Sequence, residues 1–140
     1  REGGVTMARL ITIEGIGEVY AAKLQDAGLR TTEAYLAATA TPTDRKELEE
    51  KTGISGKLIL EWANHADLYR IKGVAEEYSD LLEEAGVDTV PELAQRNPEN
   101  LHARIVEVNQ EKKLVRRLPT QAQVSDWVKQ AKDLPRVLTY

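Results

Sequence analysis

Ile13-Glu14-Gly15-Ile16-Gly17-Glu18-Val19-Tyr20-Ala21-Ala22-Lys23-Leu24 is the stretch that decides the fold. Two glycines alternate with apolar residues, and Ala21 and Leu24 follow at helical spacing. Glycine is the residue of choice where the backbone must take positive φ or pass close to another group. The stretch therefore predicts a tight glycine turn that opens a helix. The first amides of a helix have no partner inside it, and together with the helix dipole they favour an anion. Gly15, Ile16 and Gly17 are the candidate amide donors.

The same pattern returns 58 residues later. Ile13-Glu14-Gly15-Ile16-Gly17-Glu18-Val19-Tyr20 aligns with Ile71-Lys72-Gly73-Val74-Ala75-Glu76-Glu77-Tyr78, and Leu24, Ala27, Gly28 and Thr31 align with Leu82, Ala85, Gly86 and Thr89. Eight of the nineteen positions from Ile13 to Thr31 are identical, which points to duplication. Gly73 thereby joins the candidate backbone-contact residues. Further along, Ile59, Trp62, Ala63 and Ala66 form an apolar stripe at helical spacing, and Val124, Trp127, Val128 and Ala131 form another. Large indoles on such stripes are expected in the core rather than as platforms for stacked bases.

Helix punctuation covers the rest of the chain. Gly28 and Gly86 follow apolar-periodic runs, as C′ residues do. Thr31, Thr89 and Thr120 are placed as N-caps, Thr89 with Glu92 at capping-box spacing. Thr41-Pro42 and Asn97-Pro98 each put proline at the first helical position behind a cap, and Gly53 stops one helix before Ser55 caps the next. Helices are expected near 18–27, 32–38, 42–51, 56–68, 76–85, 90–96, 98–110 and 121–132. No segment alternates at period two for long enough to build a sheet. The expected fold is all-α, a pseudo-twofold pair of repeats with about eight short helices around one core. Residues 7–68 and 69–140 form the two repeats of one compact unit, and Arg1 to Thr6 are a cloning remnant or a disordered start.

These phrases resemble one family. Ile13-Glu14-Gly15-Ile16-Gly17 has the form of the helix-hairpin-helix motif of DNA-binding and DNA-repair proteins, where hairpin amides hold a backbone phosphate. Lys51-Thr52-Gly53-Ile54-Ser55, Ala66-Asp67-Leu68, Arg70-Ile71-Lys72-Gly73-Val74, Ala85-Gly86-Val87-Asp88-Thr89-Val90 and Arg96-Asn97-Pro98 resemble an uncharacterised bacterial helix-hairpin-helix family catalogued as a domain of unknown function. The resemblance runs from Leu10 to Tyr140 and implies tandem helix-hairpin-helix units. It supplies no activity; a DNA role comes from the wider motif by analogy. Two departures oppose that analogy. Ala75 replaces the second glycine of the second hairpin, and Glu18 and Glu76 put carboxylates where a phosphate would sit.

Charge is unevenly spread. Residues 1–99 carry 11 Lys and Arg against 19 Asp and Glu, a balance of −8, whereas residues 100–140 carry 8 against 4, a balance of +4. Lys112, Lys113, Arg116 and Arg117 are the expected phosphate contacts outside the hairpins, forming two (i, i+4) pairs if helical, with Arg104 one face over. The alternative for them is a solvated helix end paired with Glu107 and Glu111.

No enzyme chemistry is expected. The chain has no Cys, and its two histidines, His65 and His102, read as polar helix-face residues. No metal-ligand spacing, nucleotide fingerprint or nucleophile elbow is present, so neither cofactor nor metal is expected. The absence of Cys suits a reducing cytoplasm, and no apolar run is long enough for a membrane span. The leading function is a non-catalytic module contacting nucleic-acid backbone without sequence specificity, DNA ahead of RNA. The alternative is a protein–protein interaction module whose hairpins serve only packing. One further expectation concerns closure: the C-terminal helix should pack beside the first hairpin, with Leu10 to Ile13 and Val137 to Tyr140 side by side.

Overall fold

The computed structural model describes residues 10, 13, 15–74 and 76–140. Eight helices follow in order: α1 (Gly17–Asp26), α2 (Thr32–Ala38), α3 (Pro42–Thr52), α4 (Gly56–Leu68), α5 (Glu76–Glu84), α6 (Val90–Ala94), α7 (Pro98–Lys112) and α8 (Gln121–Asp133). Each lies within about two residues of its expected bounds, and no strand occurs among the described residues. The caps explain this agreement. Thr31, Thr41, Asn97 and Thr120 each accept the amide three residues on. Thr89 and Glu92 close a full capping box, and Ser55 Oγ accepts from Leu58. Both α1 and α5 end in the same way. Gly28 and Gly86 sit at φ 90° and 96°, their amides reach Gln25 and Glu83, and the following amides reach Leu24 and Leu82. That bond pair is a Schellman motif, which satisfies the last carbonyls of the helix.

Contacts divide the chain into two units, Arg1–Ala66 with Val137–Tyr140, and Asp67–Arg136. The sequence reading had expected one core. In the first unit, Tyr35 is fully buried and its hydroxyl donates to the Ile59 carbonyl at 2.7 Å, linking α2 to α4. Burial pushes this phenol far above its usual range, while the Arg45 charge opposes the shift, so it remains a neutral donor. Arg45 is itself buried, with its guanidinium spread over the carbonyls of Thr39, Ala40 and Thr139.

In the second unit α8 packs on α6 and α7, and α5 on α7. Leu81, Leu82, Leu93, Leu101, Ile105, Val124, Trp127 and Val128 fill the space between them. Asp67 is completely buried at its edge. One carboxylate oxygen accepts from Arg70 at 2.9 Å and the other from the Val90 amide at 2.8 Å, so a buried charge is both paired and used to satisfy an orphan amide of α6. Asp67→Ala removes the carboxylate from this arrangement, leaving the buried Val90 amide without its acceptor and Arg70 with only the Pro135 carbonyl. A loss of about 3 kcal/mol is expected, read by chemical denaturation.

One closure expectation needs correction. α8 belongs to the second unit, where Trp127 lies under Gly73; it completes the second glycine turn, and the equivalent Trp62 on α4 serves the first. The reason is packing order: each turn is covered by the indole stripe that follows it within its own unit. Val137–Tyr140 belongs to the first unit, where the Thr139 amide donates to Ala40; the expected pairing of this segment with Leu10 to Ile13 falls on residues outside the described ones. Ile11 and Thr12 of that stretch lie outside the described residues, as do Arg1 to Arg9, Glu14 and Ala75.

Candidate nucleic-acid interface

The two glycine turns are built alike, bond for bond. In the first, Ile13 donates to Leu10 and Ile16 to Ile13; in the second, Ile71 donates to Leu68 and Val74 to Ile71. The aliphatic residues point inward: Ile13, Ile16, Ile71 and Val74 are all buried. The glycines between them are exposed, with Gly15 at φ 93°, Gly17 at φ 56° and Gly73 at φ 98°. Under each turn lies an indole. A methyl carbon built on Gly15 would stand 3.4 Å from Trp62 Nε1, and on Gly73 only 2.9 Å from Trp127 Nε1. Tyr20 tilts against Trp62 at 5.1 Å between centroids, and Tyr78 against Trp127 at 5.3 Å.

Glycine is therefore required at position 73 by an indole as well as by backbone conformation, whereas at position 15 the positive φ is the main demand. Gly17, the position that the sequence pattern marked just as strongly, has open space around it, and only its positive φ demands glycine. The set of candidate amide donors also changes. Ile16 N–H is already bonded to Ile13, so it is removed from the set. In the second turn, Gln130 of α8 clamps the Lys72 peptide at both ends, accepting its N–H at 2.8 Å and donating to its carbonyl at 3.0 Å. Gly15, Gly17 and Gly73 remain as turn amides without an acceptor among the described residues.

The basic cluster is not a helix face. α7 ends at Lys112, and Lys113 takes the left-handed conformation at φ 50°, ψ 48°. The (i, i+4) pairs expected for Lys112, Lys113, Arg116 and Arg117 therefore do not exist. Residues 113–119 form instead a strap whose main chain is fixed at three points. Asn109 donates its side-chain amide to the Val115 carbonyl and accepts the Val115 amide, at 3.1 and 3.0 Å. Tyr78 donates its hydroxyl to the Arg117 carbonyl at 2.9 Å. The His102 ring nitrogen Nε2 lies 3.0 Å from the Pro119 carbonyl. Val115 and Pro119 point inward, while Lys113, Leu114, Arg116, Arg117 and Leu118 point out.

Two of the expected cations are already engaged. Lys112 pairs with Glu84 at 3.0 Å, and Arg104 with Glu107 at 2.6 Å. Among the described residues no carboxylate lies within ion-pair distance of Lys113, Arg116 or Arg117. The strap thus presents three uncompensated positive charges on a main chain that is already pinned. His65, expected on a polar face, is instead buried in α4, and His102 is half-buried against the strap.

Sequence reasoning missed Tyr78, Asn109 and Gln130. Tyr78 was visible only as one of the identities between the repeats, and nothing in the sequence gave its hydroxyl a partner 39 positions away. Lys113 offers a direct check on the strap. A non-glycine residue in the left-handed region carries backbone strain of about 1 kcal/mol. Lys113→Gly is expected to raise the melting temperature of the chain by a few degrees, because it keeps the turn and removes the strain.

The described architecture is thus that of an all-helical protein with two indole-backed glycine turns and a pinned basic strap beside one of them. The chain belongs to the DUF4332 family, a domain of unknown function, whose model matches residues 14–134. No curated protein matches the chain, and no solved structure does.

Proposed function

We propose that this chain is a non-catalytic module that contacts a nucleic-acid backbone without reading its sequence, and that the strap of the second unit is the contact surface. The observation that carries this reading is the Tyr78–Arg117 hydrogen bond. It ties the three free cations to α5, the helix that leaves the Gly73 turn. Backbone phosphates are recognised by charge and by exposed amides, and a surface with both, held on a fixed main chain, loses little entropy when it binds. The matching bond patterns at an offset of 58 residues, each followed by a helix, support reading the turns as tandem helix-hairpin-helix units. A bacterial cytoplasmic setting goes with that reading.

The test is a fluorescence-anisotropy titration of labelled duplex DNA and of single-stranded RNA, each in two sequences and at two salt concentrations. Three phosphate contacts on duplex DNA predict an affinity that falls about fortyfold between about 50 and about 200 mM salt. Equal affinity for both sequences is expected. Binding that is absent at low salt, or that ignores salt, would rule this function out.

One observation favours the alternative, a protein-interaction module. The exposed Gly73 is required by the indole on its inner side, so packing and backbone conformation account for that glycine without a ligand. Under that alternative the strap's Leu114 and Leu118, both more than a third exposed, would be the first contacts.

A further inference from the structure

Two main-chain donors of the strap have their direction set from behind. A trans peptide is planar, with its C=O and the following N–H on opposite edges. No cis peptide occurs among the described residues. A side chain that holds a carbonyl therefore also turns the next amide away from itself. Asn109 donates to the Val115 carbonyl at 3.1 Å, which directs the Arg116 N–H away from α7. Tyr78 donates to the Arg117 carbonyl at 2.9 Å, which directs the Leu118 N–H away from α5. Asn109 also accepts the Val115 amide at 3.0 Å, so the peptide groups on both sides of Val115 are held. Arg116 and Leu118 are exposed, and neither N–H has an acceptor among the described residues.

The first unit shows that this arrangement does not come with the repeat. There Tyr20 lies on Trp62 as Tyr78 lies on Trp127, but α3 and α4 are joined by residues 53–55 alone. No strap follows, and the Tyr20 hydroxyl has no hydrogen bond among the described residues. In the second unit the two directed amides are two residues apart, which is about 7 Å at most. Phosphates on one DNA strand follow at about 3.4 Å of rise each, so neighbouring phosphates lie within reach of both donors. The guanidiniums of Arg116 and Arg117 belong to the same stretch and have no carboxylate within ion-pair distance. A hydrogen bond to an anionic oxygen is stronger than one to water or to a neutral carbonyl, so fixed donors beside free cations select an anion.

We propose that the Arg116 and Leu118 amides are direct phosphate ligands and grip neighbouring phosphates of one strand, with Arg116 and Arg117 supplying the surrounding charge. This rests on the nucleic-acid reading of the strap and adds to it which atoms bind and that the sugar-phosphate backbone of a single strand is enough. Tyr78 and Asn109 are positioning residues, each aiming one amide. The Leu118 contact depends on Tyr78, and the Arg116 contact on Asn109.

The experiment records amide proton–nitrogen correlation spectra of the full, isotope-labelled chain at low salt. One titration uses a short DNA duplex and the other a single strand of abasic deoxyribose phosphates. Both are expected to move the Arg116 and Leu118 amide protons downfield, while the internally bonded amides of Lys113 and Val115 stay nearly in place. Tyr78→Phe keeps the ring on Trp127 and loses only the hydroxyl. It is expected to remove the Leu118 shift, to keep the Arg116 shift, and to weaken duplex binding about tenfold with the salt slope unchanged. A Tyr78 that served only packing would affect both amides alike or neither. Three results overturn the proposal and leave the charge reading of the strap standing, provided that the duplex still binds with its expected salt dependence: the two amides do not move with the duplex, they do not move with the abasic strand, or Tyr78→Phe leaves the Leu118 shift intact. Absence of any DNA binding at low salt overturns the proposal together with the nucleic-acid reading.

Discussion

Trp127→Ala is expected to destabilise the second unit by about 4 kcal/mol, the usual cost of removing a buried indole. The cost has two parts. The indole fills the centre of the α6–α7–α8 core, and it is also the surface on which the Gly73 turn and the Tyr78 ring rest. For a unit of this size the melting temperature should drop by roughly 20 °C. Strap order should suffer as well, because Tyr78 holds Arg117 only while its own ring is held by Trp127. Thermal melting followed by circular dichroism reads the first effect. Amide hydrogen exchange at Val115, whose N–H is bonded to Asn109, reads the second. A shift of only a few degrees would mean that the turn and strap do not depend on the indole.

Gly73→Ala is the second large effect, and it separates steric demand from conformational demand. The added carbon would meet Nε1 of the buried Trp127 at 2.9 Å, and the backbone stays at φ 98°. Strain of 1 to 3 kcal/mol and overpacking of similar size give an expected loss of about 3 kcal/mol. Gly17→Ala keeps a positive φ but meets nothing within 4 Å, so about 1 kcal/mol is expected. Denaturant unfolding of the two variants gives the comparison. Equal losses would show that backbone conformation alone selects glycine at both positions. In a double-mutant cycle, Gly73→Ala on a Trp127→Ala background should cost little beyond the φ term, because the ring it strikes has gone.

The helices were legible in the sequence because their signals are local. Thr41-Pro42, Asn97-Pro98, Thr89 with Glu92, and Gly86 act within four residues of one another, and each cap appears where its residues predict it. Both tryptophan stripes were legible for the same reason, since period alone assigns Ile59, Trp62, Ala63 and Ala66 to one buried face. What each stripe faces was not legible. Nothing local distinguishes a Trp127 that floors the Gly73 turn from one that completes the Gly15 turn, and the closure expectation failed on that choice. The strap was misread because its basic residues follow a helix without a glycine stop. Lys113 takes the left-handed position that glycine normally occupies, so the helix appeared to continue. The charges at Lys113, Arg116 and Arg117, marked as candidates in the sequence, lie exposed on the strap. Their separation from Lys112, which Glu84 neutralises from another helix, depends on tertiary contact.

The central claim is that charge on the pinned strap contacts nucleic-acid phosphates. Measuring duplex-DNA affinity against salt for the wild type and for Lys113→Glu with Arg117→Glu tests it most directly. Neither side chain is buried, and all three main-chain anchors of the strap remain, so the fold should persist and circular dichroism should match the wild type. With three phosphate contacts, the plot of log affinity against log salt should have a slope of about −2.7 for the wild type, and the reversed strap should lose about two-thirds of that slope together with most of the low-salt affinity. A doubly reversed chain that binds DNA with the wild-type slope and affinity would contradict the account.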